Sequence, residues 1–187
     1  MSISSHKIYG PKGIGALYIR SILPRVKINS IVYGGGQERN IRSGTLNVPG
    51  IVGFAKAVEI ALDEMDSENI RFKKWTDAML EQFSKVGGKL NGHPTNRLVH
   101  NLNIRFDGVQ SKSIINTVSK KIAISAGSAC TTQNVEPSHV LLSLGLSEEQ
   151  SHYAIRIGCG RFNTDEDIET ATSEILNSLE SLTKIRI

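Results

Sequence analysis

Ser4-Ser5-His6-Lys7-Ile8-Tyr9-Gly10-Pro11-Lys12-Gly13, followed by Ile14-Gly15-Ala16-Leu17-Tyr18-Ile19-Arg20, sets a lysine between small polar side chains and a glycine-proline turn, with β-forming residues after it. A lysine amine becomes a nucleophile when desolvation or nearby cations favour its free-base form. Ser4, Ser5 and His6 can hydrogen-bond a phosphate, although a solvated lysine beside a turn has the same local pattern. The glycines here are not a dinucleotide fingerprint. They precede the predicted strand, their spacing is not G-x-G-x-x-G, and no G-K-[ST] loop occurs. Ile14 to Arg20 is rich in β-formers and bounded by glycines, which predicts a buried strand.

Further along, Gly34 to Thr45 is a polar, glycine-rich loop whose backbone can approach a ligand or a neighbour closely. Pro49 suits the first position of a helix, and Ile51, Val52, Phe54, Ala55, Val58, Ile60, Ala61, Leu62 and Met65 continue it at helical spacing. Phe72, Trp75, Met79, Leu80 and Phe83 extend the pattern to Val86, where Gly87-Gly88 stops it. This predicts one very long helix, or two in line with a bend near Asp66 to Asn69. The remainder alternates: a strand over Leu98 to Phe106, a helix over Ser111 to Lys121 capped by Ser111, a strand over Ile122 to Ser125, and a helix over Pro137 to Leu144. A capping-box pattern at Ser147 to Gln150, a strand over Tyr153 to Cys159 and a final amphipathic helix opened by Thr164 complete it. The second half therefore reads as a small α/β domain with helices on one face of a sheet.

Composition narrows the class. The chain has 187 residues, 39% hydrophobic and 21% charged, as in ordinary globular proteins. Its net charge of +4 comes from 22 basic residues interleaved with 18 acids, without the basic stripe or aromatic-basic motif of a nucleic-acid binder. No apolar run approaches a membrane span, and the first residues lack a signal-peptide profile, so a cytoplasmic location, or an organelle matrix after processing, is expected. Two cysteines and five histidines show no metal-ligand spacing.

Cys159 lies in an apolar stretch and reads as a small buried hydrophobe. Cys130 differs, being surrounded by Gly127, Ser128, Ala129, Thr131, Thr132, Gln133 and Asn134, the composition of an exposed loop. With no base beside it in sequence, a nucleophile carried on a mobile loop fits better than a fixed Cys-His pair. Arg156 stands in an otherwise apolar strand, so it either pairs with a carboxylate or lines a polar cavity.

Four stretches now combine. Ser2 to Ala16, Gly34-Gly35-Gly36-Gln37-Glu38-Arg39 with Arg42-Ser43-Gly44-Thr45-Leu46, Gly127-Ser128-Ala129-Cys130-Thr131, and Ile155-Arg156 with Gly160-Arg161-Phe162 occur in this order along essentially the whole chain. Together they resemble the pyridoxal-phosphate-dependent cysteine desulfurases of iron-sulfur cluster assembly, in the class V aminotransferase family. The resemblance implies the C-terminal part of a fold-type I transferase, an α/β fold: residues 1–65 closing the large cofactor domain and residues 66–187 forming the small C-terminal domain.

It also implies roles. Lys7 matches the lysine that holds pyridoxal 5'-phosphate and moves the substrate α-proton. Ser4 and His6 match contacts to the cofactor phosphate, and Thr45 one donated across a homodimer. Arg156 matches the arginine gripping the substrate carboxylate. Cys130 matches the nucleophile that takes sulfur from L-cysteine, leaving L-alanine and a persulfide for an iron-sulfur scaffold or other acceptor protein. In the family, the stretch ahead of the lysine carries an aspartate for the pyridinium nitrogen, a histidine stacked on the ring and a phosphate loop, and many relatives end in a scaffold-docking tail. These 187 residues match none of those parts, so the chain alone is expected not to release alanine efficiently and to need a complementary N-terminal half. A non-enzymatic remnant or sulfur-carrier module, a piece of a longer protein, and a selenocysteine lyase are the alternatives. An exposed apolar edge beside Ile14 to Arg20, favouring self-association, is expected too.

Overall fold

The computed structural model describes residues 1–126 and 136–184. The chain divides into two compact units, Met1–Asp66 and the residues from Ser67 onward.

In the first unit, strand β1 (Ser2–Ser4) pairs antiparallel with β2 (Gly15–Leu17), Ser4 standing opposite Gly15. A 3-10 turn, Ser5–Ile8, leaves the end of β1 and closes on Tyr9 in the left-handed region at φ 65°. The expected buried strand over Ile14 to Arg20 is therefore shorter and lies open, with Leu17 and Tyr18 53% and 61% exposed. A two-stranded ribbon has a single hydrogen-bonded neighbour per strand and no layer on its flanks, so β-forming side chains alone do not bury it. Exposed apolar side chains extend to Ile22, Leu23, Ile31 and Tyr33.

Helix α1 (Val48–Lys85) is one continuous element of 38 residues, which settles the choice between one helix and two. Its cap is Asn47, whose side-chain oxygen accepts from the Gly50 amide at 3.1 Å, so Pro49 sits one residue inside the expected position. Phe72, Trp75, Met79 and Phe83 form one buried face at helical spacing. The left-handed Gly87, φ 85°, ends the chain's helical run.

The second unit is a four-stranded antiparallel sheet in the order β3-β4-β6-β5. Its strands are β3 (Gly88–Leu90), β4 (Asn101–Phe106), β5 (Ser125–Ala126) and β6 (Ala154–Gly158). The further helices among the described residues of the unit are α2 (Ser111–Val118), α3 (His139–Ser143), α4 (Glu148–His152) and α5 (Asp165–Lys184). Along β4 burial alternates, with Leu102, Ile104 and Phe106 inward. These join Ile155 and Ile157 of β6, Ile114 of α2, Ile168, Ile175 and Leu179 of α5, and the aromatic face of α1 in one core. Each fully buried side chain of this kind contributes about 1.5–3 kcal/mol. The opposite face of the sheet stays polar.

Two expected boundaries move. The first residue of α2 is Ser111, already helical and buried, while the extended Gln110 holds the cap position. The strand expected over Ile122 to Ser125 is confined to Ser125–Ala126, where pairing with β6 begins. The capping box appears at Ser147 and Gln150, each side chain accepting from the other's amide. Thr164 and Asp167 exchange the same pair of bonds at the start of α5.

Candidate functional site

Lys7 rides on the Ser5–Ile8 turn, and that turn is packed onto α1 through missing side chains. A Cβ at Gly10 would lie 2.1 Å from the Ser5 hydroxyl and 3.0 Å from Ala57 of α1; one at Gly53 would lie 2.6 Å from Pro11. Glycine is required at both positions because the turn and helix approach so closely. Ser5 is fully buried beneath, its hydroxyl without a hydrogen-bond partner. The Ser5 amide donates to Ile14 and its carbonyl accepts from Gly10, which closes the loop. Ser4, His6 and Lys7 are held on this support with their side chains exposed. None of the three makes a side-chain hydrogen bond or ion pair among the described residues.

Thr45 belongs to the glycine-rich loop of the same unit. Glu38, Arg39 and Asn40 have φ of 50°, 58° and 63°, three successive non-glycine residues in the left-handed region. Such a conformation costs roughly 1–2 kcal/mol per residue and persists only where its surroundings impose it. The imposing contacts are local. Gly44 donates to the Gln37 side chain at 2.9 Å, Gly36 to Ser43 Oγ at 3.4 Å, and Asn40 to the Gly36 carbonyl at 3.1 Å. Thr45 follows directly, exposed and unpartnered among the described residues.

Arg156 is in the second unit, on β6. Its neighbours Ile155 and Ile157 are buried, whereas Arg156 projects from the open polar face, opposite Asn103 of β4 and Ser125 of β5. No carboxylate pairs with it among the described residues, so of the two sequence readings the ion pair is the one not realised. Cys130 lies outside the described residues. Cys159 is buried, and desolvation pushes its thiol pKa up, away from the reactive thiolate. The structure thus places Ser4 at the end of β1 and His6 and Lys7 in the turn that follows it, with Thr45 in the same unit and Arg156 in the other. Among the described residues no cluster of His, Cys, Asp and Glu could hold a metal, and no helix is long and apolar enough to cross a membrane.

Sequence reading gave no supporting role to Gln37 and Ser43, which hold the loop ahead of Thr45, or to Asn103, which stands opposite Arg156, and Asn91, which is hydrogen-bonded to Asn103. The G-x-x-x-x-x-x-S pairing of Gly36 with Ser43 is local enough to have been considered. The asparagine pair, twelve residues apart, depends on the register in which β3 and β4 pair.

A model of the class-V aminotransferases matches residues 1–170. The chain belongs to that family, whose members depend on pyridoxal phosphate. It is 45% identical over 186 residues to cysteine desulfurase IscS of Pseudomonas entomophila, covering 99% of this chain and 46% of the relative. With the enzyme of the same description from Rickettsia bellii the identity is 49% over 185 residues, covering 97% and 44%. A solved NifS-like protein superposes with a TM-score of 0.82 at 33% identity, over 96% of this chain and 46% of that one. The chain therefore spans about half the length of the curated relatives it matches.

The side chains in the first unit fit pyridoxal phosphate. Lys7 offers an amine without an ion-pair partner among the described residues, while Ser4, His6 and Thr45 offer exposed donors for a phosphate. Ahead of α1, seven Lys and Arg stand against Glu38 alone, a balance suited to a phosphorylated anion.

Proposed function

We propose that this chain supplies the reactive lysine, the sulfur-accepting cysteine and the carboxylate-binding arginine of a cysteine desulfurase. The observation that carries this reading is the match to cysteine desulfurases along 97–99% of the chain. Supporting it, the Lys7 turn is locked in place while its side chain stays open, and Arg156 is presented without a carboxylate partner among the described residues.

Ser4 and His6, with Thr45 from a second copy of the chain, hold the cofactor phosphate. Arg156 fixes the carboxylate of L-cysteine, for which its planar fork is suited. When bound, pyridoxal phosphate draws electrons from the substrate's α-carbon, which allows bonds there and at the β-carbon to break. Lys7 Nζ takes the α-proton and later returns a proton to the carbon skeleton. The Cys130 thiolate attacks the substrate sulfur, forming an S–S bond as the Cβ–S bond breaks. L-Cysteine and the Cys130 thiol become L-alanine and a Cys130 persulfide, which an acceptor such as an iron-sulfur scaffold takes up by thiol exchange. A reducing compartment, the cytoplasm or an organelle matrix, suits a free reactive thiol. The relatives' additional length supplies the rest of the cofactor pocket, either in the same polypeptide or as a complementary half.

The test is to assemble the chain with a polypeptide spanning the other half of a relative, add L-cysteine, and measure L-alanine together with the mass of each cysteine peptide. One added sulfur on the Cys130 peptide, lost in Cys130→Ser, is the expected result. Sulfur on Cys159, or no L-alanine, contradicts the proposal.

A further inference from the structure

On the open face of the second unit's sheet, polar side chains on and just beyond β3 and β4 form an ordered chain. Asp107 accepts from Lys89 Nζ at 2.7 Å and from Arg105 Nε at 3.0 Å. Arg105 then donates through a terminal nitrogen to Asn91 Oδ1 at 2.7 Å, and Asn91 Nδ2 donates to Asn103 Oδ1 at 2.7 Å. The backbone repeats the link, Asn91 donating its amide to the Asn103 carbonyl at 2.9 Å. Asn103 is the residue directly opposite Arg156 in the β4–β6 register.

Chemistry dictates the direction of this chain. A guanidinium only donates, so the Asn91 atom facing Arg105 must be oxygen. The Asn91 amide nitrogen must then face Asn103, whose oxygen is drawn toward it. Asn103 is left with its Nδ2 donors unused among the described residues. Side chains directly opposite on one face of an antiparallel pair lie about 4.5–5.5 Å apart at Cβ. The Asn103 and Arg156 side chains therefore leave the sheet from directly opposite positions, and neither the Asn103 NH2 group nor the Arg156 guanidinium has an acceptor among the described residues. Two neighbouring donors without an acceptor form a receptor for a small anion with two oxygens.

We propose that Asn103 is a second carboxylate-binding residue, donating from Nδ2 to the substrate carboxylate held by Arg156, and that Arg105 and Asn91 are positioning residues that prevent its amide from flipping. This rests on the reading of Arg156 as the carboxylate ligand. It adds that the site selects a carboxylate through a fixed pair of donors, and that the pair is set by a hydrogen-bond relay reaching back to Asp107.

The test uses the chain labelled with nitrogen-15, assembled with a polypeptide spanning the other half of a relative, and titrated with L-alanine, and separately with ethylamine, which lacks the carboxylate. L-Alanine should shift both the Arg156 Nε and the Asn103 Nδ2 signals, and ethylamine neither. Asn103→Ala should weaken the L-alanine titration read at Arg156 about tenfold, the size of one hydrogen bond to a charged group at a partly solvated site. Asn91→Leu, which leaves Asn103 present but free to rotate, should weaken it by a smaller factor of about three. If Arg156 responds in the unsubstituted chain while the Asn103 side chain does not, this inference is overturned and the Arg156 reading stands. If L-alanine moves neither signal, or moves Asn103 equally in Arg156→Ala, the Arg156 reading itself fails. Because the deciding comparison is made on the unsubstituted chain, it holds even if a variant does not fold.

Discussion

Replacing Arg161 with alanine should destabilise the second unit more than its surface position in a loop indicates. Arg161 Nε donates to Glu68 Oε1 of α1, and a terminal nitrogen donates to Oε2 at 3.2 Å, a bidentate pair. The side chains are only 18% and 13% exposed. Around them Arg71 donates to the Arg161 carbonyl at 3.1 Å and lies 5.2 Å from the Trp75 ring centroid, and Trp75 donates to Asp165. Truncating one partner of a fully buried pair costs about 3–5 kcal/mol, because the other charge is left without compensation. At the residual exposure here about 2–3 kcal/mol is expected after allowing for solvent. For a unit of this size that is a fall in melting temperature of about 10 °C. Trp75 is the chain's single tryptophan and is 4% exposed beside this cluster, so its fluorescence during urea unfolding reports the change directly. Glu68→Ala should cost a similar amount, and the double variant should cost less than the two singles together by about 2 kcal/mol. Glu68→Leu with Arg161→Met should recover most of the loss. Single effects below about 0.5 kcal/mol, or strict additivity, would refute the claim that the pair ties this loop to α1.

Three further outcomes are expected. Phe83→Ala removes a fully buried ring packed edge-on against Phe106 at 5.8 Å and should cost about 3–5 kcal/mol in the same urea experiment. Thr164→Ala deletes the acceptor for the Asp167 amide at the start of α5 and should cost about 1 kcal/mol. Asp107 has its carboxyl pKa lowered, chiefly by the hydrogen bond from Lys89 and also by the charge of Arg105. The unfolded chain therefore binds that proton first, so the stabilisation is complete above the ordinary carboxylate range and lost as pH falls through the folded value. An acid titration should show wild type more stable than Asp107→Asn at neutral pH, with the difference vanishing in acid.

How much of this was legible in the sequence depended on the range of each signal. Ser147 with Gln150, and Thr164 opening α5, were readable because a capping box is complete within four residues. The apolar face Phe72, Trp75, Met79 and Phe83 was readable from its period. The continuity of α1 through Asp66-Ser67-Glu68-Asn69 was not, since nothing in that polar stretch stops a helix or compels one. Ile14 to Arg20 carried strand propensity without information on what would cover it. The left-handed run Glu38-Arg39-Asn40 contains no glycine to mark it, and the relay through Arg105, Asn91 and Asn103 exists only after β3 and β4 pair.

The central claim, that this chain carries the lysine of a pyridoxal-phosphate desulfurase, is tested most directly by fixing the cofactor in place. The chain is assembled with the remaining half of a relative, loaded with pyridoxal phosphate, reduced with borohydride and digested. The phosphopyridoxyl group is predicted on the peptide containing Lys7 and absent from Lys7→Ala. Attachment to another lysine, such as Lys12, or cofactor binding that leaves Lys7 unmodified, would contradict the account.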